Sequence, residues 1–149
     1  MAGGTGNNGR GVDVEYALEH LIYAYRREFL SVMQGAGLEL SPLEIRVLRL
    51  LHRSPGCSLQ HLVHCTVRDK AQVTRQVRVL EDRKLVRRER DAEDQRSFRL
   101  YLTASGARLE KQVRGVRATV NRRLFSRLDG GEREQLRRLL NLCIDALRD

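Results

Sequence analysis

At 149 residues the chain is long enough to bury one hydrophobic core and short for two, and 28 lysines and arginines against 19 carboxylates give a formal charge of +9. The cationic excess favours a polyanionic partner, and no apolar run approaches the roughly 18 residues needed for a transmembrane helix. Three cysteines, Cys57, Cys65 and Cys143, form no even disulfide framework, and no signal peptide precedes them, so the expected location is cytoplasmic.

The charge is unevenly placed. Residues 1–67 hold 6 cationic and 6 acidic side chains, residues 68–102 hold 11 and 7, and residues 103–149 hold 11 and 6. All of the excess therefore lies from Arg68 onward.

The opening MAGGTGNNGRGV, residues 1–12, is too rich in glycine and asparagine to order itself and reads as a flexible tail. From Asp13, an N-cap candidate, Val14, Leu18, Leu21, Ile22, Tyr25, Phe29, Val32 and Met33 recur at helical spacing until Gly35 and Gly37. Ser41-Pro42 with Glu44 three residues after the cap opens a second helix with Ile45, Leu48 and Leu51 inward, stopped by Ser54-Pro55-Gly56. Ser58 caps a short third helix carrying Leu62 and Val63, and Asp69 caps a fourth whose inward stripe is Val73, Val77 and Leu80.

The hydrophobic period then falls from 3.6 to 2. LVRRER at 85–90 and FRLYLT at 98–103 predict two strands, the second alternating Phe98, Leu100 and Leu102 against Arg99, Tyr101 and Thr103, joined by a charged turn. Thr103 or Ser105 starts a long helix with Leu109, Val113, Val116, Val120 and Leu124 on one stripe. After Asp129-Gly130-Gly131 a last helix carries Leu136, Leu139, Leu140, Cys143, Ile144 and Leu147. The class is mainly α with a small β-hairpin, and three short helices followed by a hairpin make a winged helix-turn-helix.

In that fold the fourth helix would enter a DNA major groove. Gln72, Arg75 and Gln76 are candidates for base edges, because Gln pairs with adenine and Arg with guanine through two parallel hydrogen bonds. Lys70, Thr74 and Arg78, with Arg87, Arg88 and Arg90 on the hairpin, are candidates for phosphates. Each competes with the plainer alternative of a solvated charge. No Gly-rich phosphate loop, G-x-S-x-G or H-E-x-x-H is present, which argues against an enzyme; a nonspecific architectural DNA protein or an interaction module is the remaining alternative.

The runs LSPLEIRVLRLL and DKAQVTRQVRVLEDRKLVRRERDAEDQRSFRLYLTASG resemble the MarR (multiple-antibiotic-resistance regulator) family of transcription factors. The resemblance rests on VTR…LE…LV from Val73 to Val86, D-x-R at Asp94 to Arg96 and LT-x-x-G at Leu102 to Gly106. It implies a single domain over 13–149, with 41–103 as the winged helix-turn-helix and 13–35 and 104–149 as helices interlocking in a homodimer. Such a dimer would bind double-stranded DNA at a pseudo-palindromic operator, as a repressor. By the same resemblance Arg96 would enter the minor groove from the wing tip while Asp94 braces the wing; a wing arginine paired with Asp91 or Asp94 is the structural alternative. Aromatic effectors of the family imply a ligand site to which Tyr23, Arg26 and His52 could contribute.

Two departures bear on sensing. The first helix carries Tyr16, Tyr23 and Tyr25 but no cysteine, against the arrangement of the family's peroxide sensors. CSLQHLVHC gathers Cys57, His61, His64 and Cys65, chemically apt for a soft metal such as zinc, but the spacing matches no standard zinc site, so no metal or other cofactor is expected.

Overall fold

A computed structural model describes residues 13–94 and 96–148; the expected tail at 1–12 lies outside the described residues. In chain order the elements are α1 (Val14–Gly35), α2 (Pro42–Arg53), α3 (Leu59–Thr66), α4 (Lys70–Asp82), β1 (Val86–Arg90), β2 (Phe98–Leu102), α5 (Ala104–Leu124) and α6 (Gly130–Asp145). Helix starts follow the polar residues the sequence offers. Ser41 and Glu44 form a reciprocal capping box, with the Ser41 amide donating to Glu44 at 2.6 Å and Pro42 in the first turn. Ser58 accepts from the His61 amide at 3.1 Å, Asp69 from the Gln72 amide at 2.9 Å, and Asp129 with Glu132 forms a second box that starts α6.

The chain divides into two compact units, one of Met33–Thr119 and the other of the segments up to Val32 and from Val120. In the first, Val47, Leu48 and Leu51 of α2 pack with Leu62 of α3, Val73, Val77 and Leu80 of α4, and Leu85, Val86 and Leu100 at the wing. The inward face of α2 differs by a rotation from that expected: Val47 is buried and Ile45 only partly so. Glu44 explains this. Its carboxylate is also turned inward, because it serves both the Ser41 cap and Arg83, whose Nη1 lies 2.5 Å from Glu44 Oε1.

β1 and β2 are antiparallel, running from Val86 opposite Leu102 to Arg90 opposite Phe98. The α2–α3 connection adds a further rung: the Gly56 amide donates to Leu100 O at 2.9 Å and the Leu100 amide to Cys57 O at 3.1 Å. At the base of the wing the Thr103 hydroxyl donates to Lys84 O at 2.6 Å and accepts the Gly106 amide at 3.0 Å. A Cβ at Gly106 would fall on the carbonyl oxygen of Leu85, so the glycine of the LT-x-x-G motif is needed for close approach of α5 to the backbone just before β1.

In the second unit Arg123 of α5 pairs with Glu28 of α1 and Val120 is buried. Leu18, Leu21 and Ile22 of α1 remain more than 40% exposed, as do Leu139, Leu140, Leu142 and Ile144 of α6, and no residue of α6 is buried. Among the described residues, these parts of the apolar stripes are left uncovered.

Candidate nucleic-acid interface

With Val73, Val77 and Leu80 buried, α4 turns Ala71, Arg75, Arg78 and Asp82 outward, flanked by Lys70 and Gln72. Gln76 and Thr74 are half-buried, and the Thr74 hydroxyl donates to Lys70 O at 2.7 Å. The candidates therefore fall on two sides of one helix. Lys70, Thr74 and Arg78 face a cleft of about 580 Å³ shared with Arg88, Arg96 and Phe98 of the wing, while Gln72, Arg75 and Gln76 line one of about 410 Å³ with Arg68 and Ser41. Arg68 lies in the α3–α4 turn, outside the helical pattern that marks the other candidates.

The wing arginines are not equivalent. Arg88 is clasped by Glu81 of α4, with Nε 2.6 Å from Oε1 and Nη2 2.5 Å from Oε2, and this pairing raises its pKa. Arg87 pairs with Glu89 and lies over the Tyr101 ring at 4.7 Å. Arg88 and Arg90 both lie over Phe98, at 5.5 and 6.0 Å. Phe98, expected to face inward with Leu100, is 40% exposed, because the hairpin projects past the core and the cations rather than core residues cover the ring. Arg99, which the sequence placed only by alternation, braces the wing: its Nε lies 2.5 Å from Asp91 Oδ2 and its Nη1 donates to Gly56 O at 3.3 Å.

The wing turn is organised by Asp94. Its Oδ1 accepts the Arg96 amide at 3.0 Å and its Oδ2 the Ser97 hydroxyl at 2.5 Å, while the Ser97 amide donates to Asp94 O at 2.9 Å. The Ser97 hydroxyl, then the Arg96 amide, holds the Asp94 carboxyl below its ordinary value. Among the described residues the Arg96 guanidinium has no carboxylate partner, in contrast to Arg87, Arg88 and Arg99.

His52 meets two residues that the sequence did not single out. Arg114 Nη1 lies 2.7 Å from His52 Nε2, and His52 Nδ1 faces the buried Glu110 carboxylate at 3.7 Å. An arginine donor at Nε2 requires the tautomer with its proton on Nδ1, directed at Glu110. Tyr23 and Arg26 are exposed on α1, in the other unit. Of the cysteine and histidine cluster, Cys65 Sγ and His61 Nε2 come together at 3.5 Å, whereas Cys57 lies on the rung to β2, where burial pushes its thiol pKa up. His64 is exposed, and among the described residues no three His, Cys, Asp or Glu side chains are placed to hold a metal ion. No described helix is long and apolar enough to cross a membrane.

Residues 38–97, which include α2, α3, α4, β1 and the wing turn, match a sequence model of the MarR family. The chain is 30% identical over 96 residues to the transcriptional regulator HosA of Escherichia coli O157:H7, covering 64% of this chain and 71% of that protein. Among solved structures, a point mutant of Staphylococcus aureus MepR superposes with a TM-score of 0.76 at 21% identity over 91% of this chain and 98% of MepR. Bordetella bronchiseptica BpsR, whose DNA binding is regulated by 6-hydroxynicotinic acid, does so with a TM-score of 0.72 at 25% identity over 90% of this chain and 94% of BpsR.

Proposed function

This chain belongs to the MarR family of winged-helix, DNA-binding transcriptional regulators, and we propose that it represses transcription by binding a pseudo-palindromic operator as a homodimer. The observation that carries the DNA contact is the two-sided array on α4, with amide and guanidinium groups on one side and a cationic cleft toward the wing on the other. Gln72 and Arg75 are assigned to base edges, and Lys70, Arg78, Arg87 and Arg90 to phosphates. Arg96, held out by a turn that Asp94 closes, is assigned to the minor groove, where a narrow A·T-rich segment concentrates negative potential. The uncovered stripes of α1 and α6 support a second copy as the dimer partner, since apolar surface of this extent favours burial.

Release by an aromatic acid is the regulation we propose, supported by the BpsR comparison and by the imidazole–guanidinium pair of His52 and Arg114. The protein acts in the cytoplasm, where its DNA is, and performs no catalysis; no metal enters this proposal. Footprinting of the DNA flanking its gene tests the assignment. A single protected pseudo-palindrome, released by 6-hydroxynicotinate or a related aromatic acid, is expected; broad protection without a preferred site would replace a specific regulator with an architectural protein.

A further inference from the structure

In the Met33–Thr119 unit the exposed large apolar side chains among the described residues are Val67 at 86%, Val79 at 45% and Phe98 at 40%. All three border α4 or the wing. Phe98 is overlaid by Arg88 and Arg90, and Val79 lines the cleft that holds Gln72 and Arg75. Val67 stands in the open.

Its backbone is unusual as well. Val67 has φ 53° and ψ 42°, in the left-handed region, which a β-branched side chain enters only against steric resistance and which glycine or asparagine occupies with less strain. The neighbours hold it there. Buried Thr66 donates its hydroxyl to Leu62 O at 2.8 Å, and two residues beyond Val67 the Asp69 cap begins α4. Strain and exposure together, with no return in core packing, leave this side chain available for a contact outside the chain.

Val67 is the C-cap of α3, three residues before α4, in the turn that leads into the helix a helix-turn-helix directs at base edges, and Ala71 in the first turn of α4 is small enough for close approach. The one apolar group that unmodified base pairs present in the major groove is the thymine C5-methyl. We infer that Val67 is a specificity-determining residue that packs against the C5-methyl of a thymine in each half-site, selecting thymine over cytosine there. This rests on the DNA-binding assignment and adds to it an apolar reader beside the polar ones.

Deoxyuridine, which lacks only that methyl, provides the test. The full chain is first used to select its preferred duplex, and each thymine is then replaced singly by deoxyuridine in direct binding measurements. One replacement in each half-site should weaken wild-type binding about fourfold, the ratio that corresponds to burial of one methyl group. Val67→Gly and Val67→Asn, both suited to the left-handed backbone, lose the contact in both half-sites and should bind the thymine duplex about sixteenfold more weakly and be indifferent to that replacement, while unfolding at a higher temperature than wild type. Equal wild-type affinity for every uracil-substituted duplex, or a uracil effect that persists in both variants, would overturn the Val67 contact while leaving sequence-specific binding in place. Failure of the wild type to select any duplex would instead remove the DNA-binding assignment on which the contact rests.

Discussion

Glu81 of α4 holds Arg88 of β1 through two parallel hydrogen bonds, at 2.6 and 2.5 Å, so a cation counted as a phosphate ligand already has an anion of its own. A phosphate at Arg88 would have to compete with that carboxylate. Arg88→Ala should therefore change DNA affinity little, whereas Glu81→Gln should raise affinity for all sequences and steepen the logarithmic salt dependence by about 0.9, one released counterion. Binding isotherms across a salt series check this. A flatter slope in Arg88→Ala alone would mean that phosphate displaces Glu81 in the complex.

Arg96→Ala should weaken specific binding by roughly 1 to 3 kcal/mol and leave the fold intact, with the largest loss on sites carrying A·T pairs under the wing. Unaltered affinity on such sites would exclude the minor-groove contact.

The Asp94 carboxyl titrates below its ordinary value of 3.8 in the folded chain. With a depressed folded-state pKa, its contribution to the wing turn is present above the ordinary value and is lost as the pH falls through the lowered one. Amide chemical shifts of Arg96 and Ser97 should therefore move together with a midpoint below 3.8, and a midpoint at or above 3.8 would contradict the hydrogen bonds to Asp94.

Gln72→Ala and Arg75→Ala should relax preference at a few base pairs, while Lys70→Ala should weaken all sequences alike. Competition among single base-pair variants of the operator separates the two outcomes; loss of affinity at constant preference in the Gln72 and Arg75 variants would remove them from the base-reading set.

Gly106→Ala should destabilise the fold by roughly 3 kcal/mol, the upper range for overpacking, because the added methyl meets the Leu85 backbone, which cannot rotate aside as a side chain can. Denaturant unfolding measures it, with an α5 control at Gly115→Ala, where nothing lies within 4 Å of the added atom and stability should be kept or raised. Comparable loss in both variants would point to backbone effects rather than to the contact with Leu85.

Much of this was legible in the chain itself. Ser41, Ser58 and Asp69 start their helices in the structure, because capping is a local hydrogen bond between residues three apart, and the shift to a period of 2 after Lys84 marks the wing because strand alternation is equally local. What depended on partners distant in sequence was not legible. Ile45 and Val47 are both apolar, and only the pairing of Glu44 with Arg83, 39 residues away, decides which turns inward. The same holds for the site. Residue types along α4 and β1 indicated a cationic DNA face, but which arginines are already neutralised depends on Glu81 meeting Arg88 and Asp91 meeting Arg99 across the fold. The strained backbone of Val67 and the meeting of His52 with Arg114 likewise leave no periodic mark in the sequence, since the first is a single left-handed cap on α3 and the second a contact between helices 62 residues apart.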